Sequence, residues 1–239
     1  EQMAEIPAGV LASLIARTIF AISSEESRFT LSGALLHLKL NTLLMVSTDG
    51  HRLAHVETCT DLPGVTAPYR ALVPRKAMGE ILKLAQEAGP DTPVKFAGDE
   101  NHLFFSFGER LLISRKLTGT FPDYERVLPK EQKHIVTLKR DEIRSAIERV
   151  AQFADERSRA IKMQVRPGEV TVHSSVSDTG ESEESVPAEY DGATIEISFN
   201  AQYLLDFLRV VTQDEVQFCF KDPHSAAEAR PSGDADGFA

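Results

Sequence analysis

Apolar residues along this chain change their period several times, and each change predicts an element. From Pro7 to Ser23 the positions Val10, Leu11, Leu14, Ile15, Phe20 and Ile22 fall mainly at helical spacing, and Pro7 suits a first helical turn. Two apolar-rich runs follow, Ala34 to Lys39 and Leu43 to Ser47, and read as strands. Asp49-Gly50 predicts a tight hairpin turn, with Arg52 to Glu57 as the returning strand. A second helix is expected from Pro74, with Met78, Ile81, Leu82 and Ala85 inward and a stop at Gly89-Pro90. Val94 to Ala97, His102 to Phe107 and Arg110 to Leu117 complete this half as strands.

The second half repeats much of that order. Leu138 to Phe153 predicts a helix with Ile143, Ala146, Ile147 and Val150 on one face. Ile161 to Val165 and Glu169 to His173 read as strands joined by a turn at Pro167-Gly168, and Glu181 to Val186 is strand-like. Asn200 is placed to cap a helix carrying Tyr203, Leu204, Phe207 and Leu208, and Val216 to Lys221 closes the series as a strand. Leu35 with Ile161, and Pro74 with Asn200, are matched pairs 126 residues apart, a period long enough for one domain per repeat. The second copy is expected to stop early, because Ala226 to Ala239 is rich in Gly, Asp and Ala where the first copy has a strand.

Composition narrows the class. Hydrophobic residues at 42% and charged residues at 26% suit a globular protein with a real core. The longest apolar stretch, Val10 to Ile22, is broken by Ser13, Arg17 and Thr18 and falls short of the ~20 residues a membrane span needs. Glu1 and Glu5 stand where a signal peptide would be basic. Cys59 and Cys219 lie far apart and read as reduced thiols of a cytoplasmic protein. A net charge of -10 argues against a protein that coats nucleic acid with basic surface, yet leaves room for one basic face.

Candidate chemistry is sparse. His51, His55 and Cys59 recur every four residues, which on a helix would suggest a metal site. Here they follow an Asp-Gly turn on an expected strand, where ~3.3 Å per residue sets such ligands ~13 Å apart. Ser47, Asp49 and His51 have the residue types of a hydrolytic triad, but neighbours in a tight turn cannot easily make its successive hydrogen bonds. No glycine-rich loop ends in Lys-Ser/Thr, so nucleotide hydrolysis lacks support. No catalytic residue, metal or cofactor is expected.

Two motifs carry a resemblance. Ser47-Thr48-Asp49-Gly50-His51-Arg52-Leu53-Ala54 resembles the hairpin of the bacterial DNA sliding clamp, the β subunit of the replicative DNA polymerase III. Phe121-Pro122-Asp123-Tyr124, followed by Arg126-Val127-Leu128-Pro129, resembles the junction between that family's second and third domains. Val73-Pro74-Arg75-Lys76 and Phe199-Asn200 with Tyr203 fall in the family's order. The resemblance covers essentially the whole chain.

It implies an α+β fold of tandem DNA-clamp domains, each with two helices packed on antiparallel sheet. Residues 1–124 would be the middle domain and 125–239 the C-terminal domain, lacking its last strand. In the family, three domains make a subunit and two subunits close into a homodimer ring around double-stranded DNA, without sequence preference. Thr48, Gly50, His51, Arg52 and Leu53 would line a pocket with Leu31, Pro122, Arg126 and Val127, bordered by Asn200 and Tyr203. That pocket would accept the linear motif of the replicative polymerase, the clamp loader and other partners. Thr30 stands where an aromatic is common in some relatives, and the family's final Met- and Pro-rich strand is missing. Arg28, Phe29, Arg75, Lys76 and Arg209 would meet DNA, with Arg17, Arg144 and Arg149 as further helix-borne cations. Phe153 would belong to the subunit interface. An unrelated two-domain interaction module, or a metal-dependent hydrolase built on His51, His55 and Cys59, is the alternative.

Overall fold

The computed structural model describes residues 2–25, 27–176 and 180–233. The chain divides into two compact units between Arg126 and Val127. The first unit contains β1 (Gln2–Pro7), α1 (Ala8–Ala16), β2 (Gly33–Lys39), β3 (Thr42–Thr48) and β4 (Leu53–Cys59), then β5 (Tyr69–Pro74), α2 (Arg75–Ala88), β6 (Pro93–Gly98), β7 (His102–Phe107) and β8 (Arg110–Arg115). A strand, a helix and three strands thus occur twice. The strands form two antiparallel four-stranded sheets, ordered β4-β3-β2-β5 and β1-β6-β7-β8. The helices pack on each other, burying Leu11, Leu14 and Ile15 of α1 and Met78 and Ile81 of α2.

Both faces of β2 and β3 are buried, as their near-continuous apolar runs require. One face turns to the helices, and the strap that follows β8 bears on the same sheet. The Leu117 amide donates to the Leu72 carbonyl (3.1 Å), and Tyr124, 5% exposed, sets its ring 5.8 Å from that of His55 on β4. Burial raises the Tyr124 pKa.

The expected helix from Pro7 to Ser23 is shorter in the structure. It ends at Ala16, because the buried Thr18 hydroxyl turns back to the Leu14 carbonyl (2.7 Å) and the chain tightens into a 3₁₀ turn at Ile19–Ala21. β1 and β5 were not expected as full strands. β1 has only Ala4 and Ile6 as buried apolar positions, and its partner, β6, lies some ninety residues on in the chain.

The second unit contains β9 (His134–Lys139), α3 (Arg140–Val150), β10 (Ala160–Arg166), β11 (Glu169–Val176), β12 (Gly180–Glu189), β13 (Ile195–Asn200), α4 (Ala201–Val210), β14 (Glu215–Phe220) and β15 (Glu228–Pro231). All its strands join one antiparallel sheet, ordered β13-β10-β11-β12-β9-β14-β15. Ile143, Ala146, Ile147 and Val150 of α3 face the core, as their spacing predicts. The expected helix from Leu138 to Phe153 is corrected at both ends. Leu138 belongs to β9, where Val136 and Leu138 are buried in alternation, and Ala151–Phe153 form a 3₁₀ turn. β9 and β13 were missed. β14 does not close the series: β15 pairs beside it, from Val216↔Pro231 to Cys219↔Glu228. Among the described residues no strand follows β15, whereas in the first unit β8 follows β7. Residues 234–239, part of the stretch expected to lack a strand, lie outside the described residues.

Candidate functional site

The turn between β3 and β4 is held by a dense set of hydrogen bonds. Strand register runs to Thr48↔Leu53, leaving Asp49–Arg52 as a four-residue loop rather than the two-residue turn suggested by Asp-Gly. The Asp49 carboxylate explains the extra length. Its Oδ1 accepts from the backbone N–H groups of His51 (2.8 Å) and Arg52 (2.9 Å), and its Oδ2 pairs with Arg52 Nε (3.2 Å). Thr48 Oγ1 donates to the Arg52 carbonyl (2.6 Å) and accepts from the Gly50 amide (3.1 Å).

The turn is also braced from outside. Arg52 Nη2 donates to the Phe20 carbonyl (2.8 Å), and its guanidinium lies 5.5 Å from the Phe20 ring centroid. Ser47, fully buried, donates to the Thr18 carbonyl (2.5 Å). The chain just past the early end of α1 thus supplies two carbonyls that hold the hairpin. On the other side, Arg28 Nη1 donates to the Asp49 carbonyl (2.9 Å) while its Nε meets Glu25 (2.9 Å). Gly50 has φ 90°, and a Cβ there would stand 2.5 Å from Arg28 Nη1, so glycine serves both the conformation and the close approach.

The remaining first-unit candidates take distinct places. Leu31 ends a short 3₁₀ turn, and its carbonyl accepts from the Ser23 amide (3.0 Å). Its neighbour Thr30 faces the strap, where a Cβ on Gly119 would stand 2.5 Å from the Thr30 methyl. Pro122 is exposed on the strap, and Arg126, also exposed, pairs with Asp123 (2.8 Å). Phe29 is 73% exposed beside the partly buried Arg28. Arg75 and Lys76 are exposed on the first turn of α2 and form no ion pair among the described residues. Arg17 stands just past α1 as its C-cap.

In the second unit Asn200 caps α4, its Oδ1 accepting from the Gln202 amide (2.9 Å), as expected. Tyr203 lies in the first turn of that helix, half-buried. Val127 is 60% exposed and Phe153 36%. The helix cations here meet acids: Arg144 with Asp141 (3.5 Å), Arg209 with Glu148 (3.6 Å), and Arg149 with Glu184. The Arg149 hydrogen bonds lower the Glu184 pKa.

The metal-site alternative finds no assembly. His51 is exposed in the turn, His55 lies against Tyr124 and Cys59 is exposed at the end of β4. Among the described residues no group of three His, Cys, Asp or Glu is arranged to hold an ion. Sequence reasoning placed Asp49 in the turn, Phe20 on a helix face and Tyr124 in the junction motif, but foresaw none of the contacts that they make here. An Asp followed by Gly and two further amides was the available signal for the first; Phe20 and Tyr124 had none beyond an aromatic in the right neighbourhood.

Comparison with known proteins matches this geometry to a family. Residues 5–123 match the model of the DNA polymerase III beta subunit, central domain, and residues 125–237 that of its C-terminal domain. This chain belongs to the DNA polymerase III beta-subunit family. It is 36% identical over 95% of its length to the beta sliding clamp of Pseudomonas putida, of which it covers 61%. The beta sliding clamp of Caulobacter vibrioides is 38% identical over 90% of the chain and 58% covered. The chain thus spans about three-fifths of the length of these clamps. The crystal structure of the DNA polymerase III subunit beta from Pseudomonas aeruginosa superposes with a TM-score of 0.93 at 34% identity, covering all of this chain and 64% of that one. A sliding clamp from the same organism bound to griselimycin has a TM-score of 0.93 at 35% identity, over 99% of this chain and 63% of that clamp. The clamp fold is therefore shown, and no helix of the described residues is long and apolar enough to cross a membrane.

Proposed function

We propose that this chain is the central and C-terminal part of a DNA polymerase processivity factor. In this reading residues 1–124 and 125–239 are its two domains. As part of a cytoplasmic homodimer ring, it encircles duplex DNA and tethers the replicative polymerase, the clamp loader and other proteins through a peptide pocket. The observation that carries the reading is the succession of central-domain and C-terminal-domain matches over nearly the whole chain. No residue is assigned to catalysis; the work is topological, and Phe153 belongs to the subunit interface.

The first unit contributes Leu31, Thr48, Gly50, His51, Arg52, Leu53, Pro122 and Arg126 to peptide binding, and the family resemblance adds Val127, Asn200 and Tyr203 of the second. Apolar anchors of a partner peptide enter beside Leu53 and Pro122, and the polar rim fixes their register. The griselimycin complex of the Pseudomonas aeruginosa clamp supports a ligand site on this fold. DNA is met by Arg28, Phe29, Arg75, Lys76 and Arg209. Arg75 and Lys76 open α2, where the helix dipole is already positive and cations are unfavourable without an anion. A DNA phosphate supplies that anion without reading sequence.

A labelled peptide beginning Gln-Leu and ending Leu-Phe tests the pocket. Leu53→Ala and Pro122→Ala are expected to weaken it by ~2 kcal/mol each, with thermal unfolding unchanged. Equal binding by both variants and the unsubstituted chain would place the peptide elsewhere.

A further inference from the structure

Every backbone N–H of the Asp49–Arg52 loop is satisfied within the hairpin. Gly50 donates to Thr48 Oγ1, His51 and Arg52 donate to Asp49 Oδ1, and the Asp49 amide donates to the Arg52 carbonyl (3.4 Å). One carboxylate, 17% exposed, therefore holds two amides and the guanidinium of Arg52, and Arg52 in turn reaches the Phe20 carbonyl. Without that carboxylate, the His51 and Arg52 amides would lose their side-chain acceptor, and the loop would have to be ordered by whatever binds it. Fixing those residues on binding would cost conformational entropy.

We propose that Asp49 is the positioning residue of the peptide pocket: its carboxylate, without touching the ligand, presets the turn that presents His51, Arg52 and Leu53. The proposal rests on the pocket reading above. A preset loop leaves more of the contact energy to appear as affinity. Its Oδ1 does the main work, because one oxygen serves both amides, while Oδ2 adds the Arg52 contact.

The test compares the full chain with Asp49→Ala and Asp49→Asn, using the same labelled peptide and amide hydrogen exchange of the free proteins. Asparagine keeps an oxygen for the two amides. Asp49→Ala is expected to weaken the peptide ~10-fold, and Asp49→Asn less than ~3-fold. His51 and Arg52 amides should exchange faster in the alanine variant, with the core of β2 and β3 still protected. Unchanged affinity in Asp49→Ala overturns the proposal, as does an asparagine variant that falls as far as alanine. Should the unsubstituted chain bind no peptide, the pocket reading fails. The exchange of His51 and Arg52 then still decides: faster exchange in Asp49→Ala keeps Asp49 as the residue that sets the turn, and unchanged exchange removes it.

Discussion

The two units share a strand, helix and three-strand repeat, complete twice in the first and once among the described residues of the second, and they finish their sheets differently. In the second, β12 runs for ten residues and its end pairs with β9, Ala188 with Leu138 and Glu189 with Thr137, so two half-sheets become one. In the first, β4 stops at Cys59 and the chain continues past Leu62 and Pro63. There the Glu5 amide still donates to the Pro63 carbonyl (3.0 Å), but proline has no N–H to return, and the half-sheets stay separate. Cations differ too. Arg144, Arg149 and Arg209 of the second unit are held by carboxylates, while Arg75 and Lys76 of the first stand exposed at a helix start. The difference teaches that repeated topology does not repeat function: strand closure and charge pairing are set locally in each copy.

The strongest way to break the comparison is to empty each core. Phe105→Ala in the first unit and Phe218→Ala in the second, both nearly inaccessible, should each cost ~3–5 kcal/mol. If the units are separate cores, calorimetry will show one transition moved in each variant; a common shift would merge them.

Charge pairing is sharpened by DNA titration over a range of salt. Arg75→Ala with Lys76→Ala should flatten the slope of log K against log salt by ~2, about tenfold in affinity between low and moderate salt. Arg149→Ala, whose guanidinium is held by Glu184, should leave the slope unchanged. Equal slopes in both variants would remove the distinction.

The helix starts differ by a smaller amount. α2 has Pro74 at its N-cap and no side-chain cap, while Asn200 caps α4. Asn200→Ala should therefore destabilise the second unit alone, by ~1 kcal/mol, readable as a lower midpoint of one thermal transition.

The thiols differ in a way that only pH reveals. Burial pushes Cys219 up to about 11, while Cys59 is exposed. A thiol whose folded pKa is raised contributes stability below its unfolded value, and that contribution fades as pH rises above ~8.5. The second unit should thus lose more stability than the first between pH 8.5 and 11, and iodoacetamide at pH 8 should label Cys59 only. Labelling of Cys219 in the folded chain would contradict its burial.

Much of the fold was legible in the sequence where a segment carries its own signal. Met78, Ile81 and Ala85 announce the inner face of α2, and Asn200 announces the start of α4, because helical spacing and capping are local. β1, β5, β9 and β13 were not legible as strands. Each is short and takes its partner from a distant part of the chain, so alternation over two or three residues had to stand in for a ladder. Motif resemblance named the hairpin residues in the sequence but gave Asp49 no part beyond the turn, whereas its three bonds within four residues of chain appear only in the structure.

The sequence by itself determined the class of fold, the tandem repeat, the inner faces of the helices and the family, since these follow from periodicity and from motifs written in consecutive residues. Tertiary structure alone decided where α1 stops and how the Thr18 and Phe20 carbonyls beyond it receive Ser47 and Arg52. It also decided that Tyr124 is buried on the outer face of β4, and which cations meet a carboxylate. Those outcomes depend on groups far apart in the chain meeting at hydrogen-bond or ring-contact distance, and no local pattern of hydrophobic and polar residues encodes such a meeting.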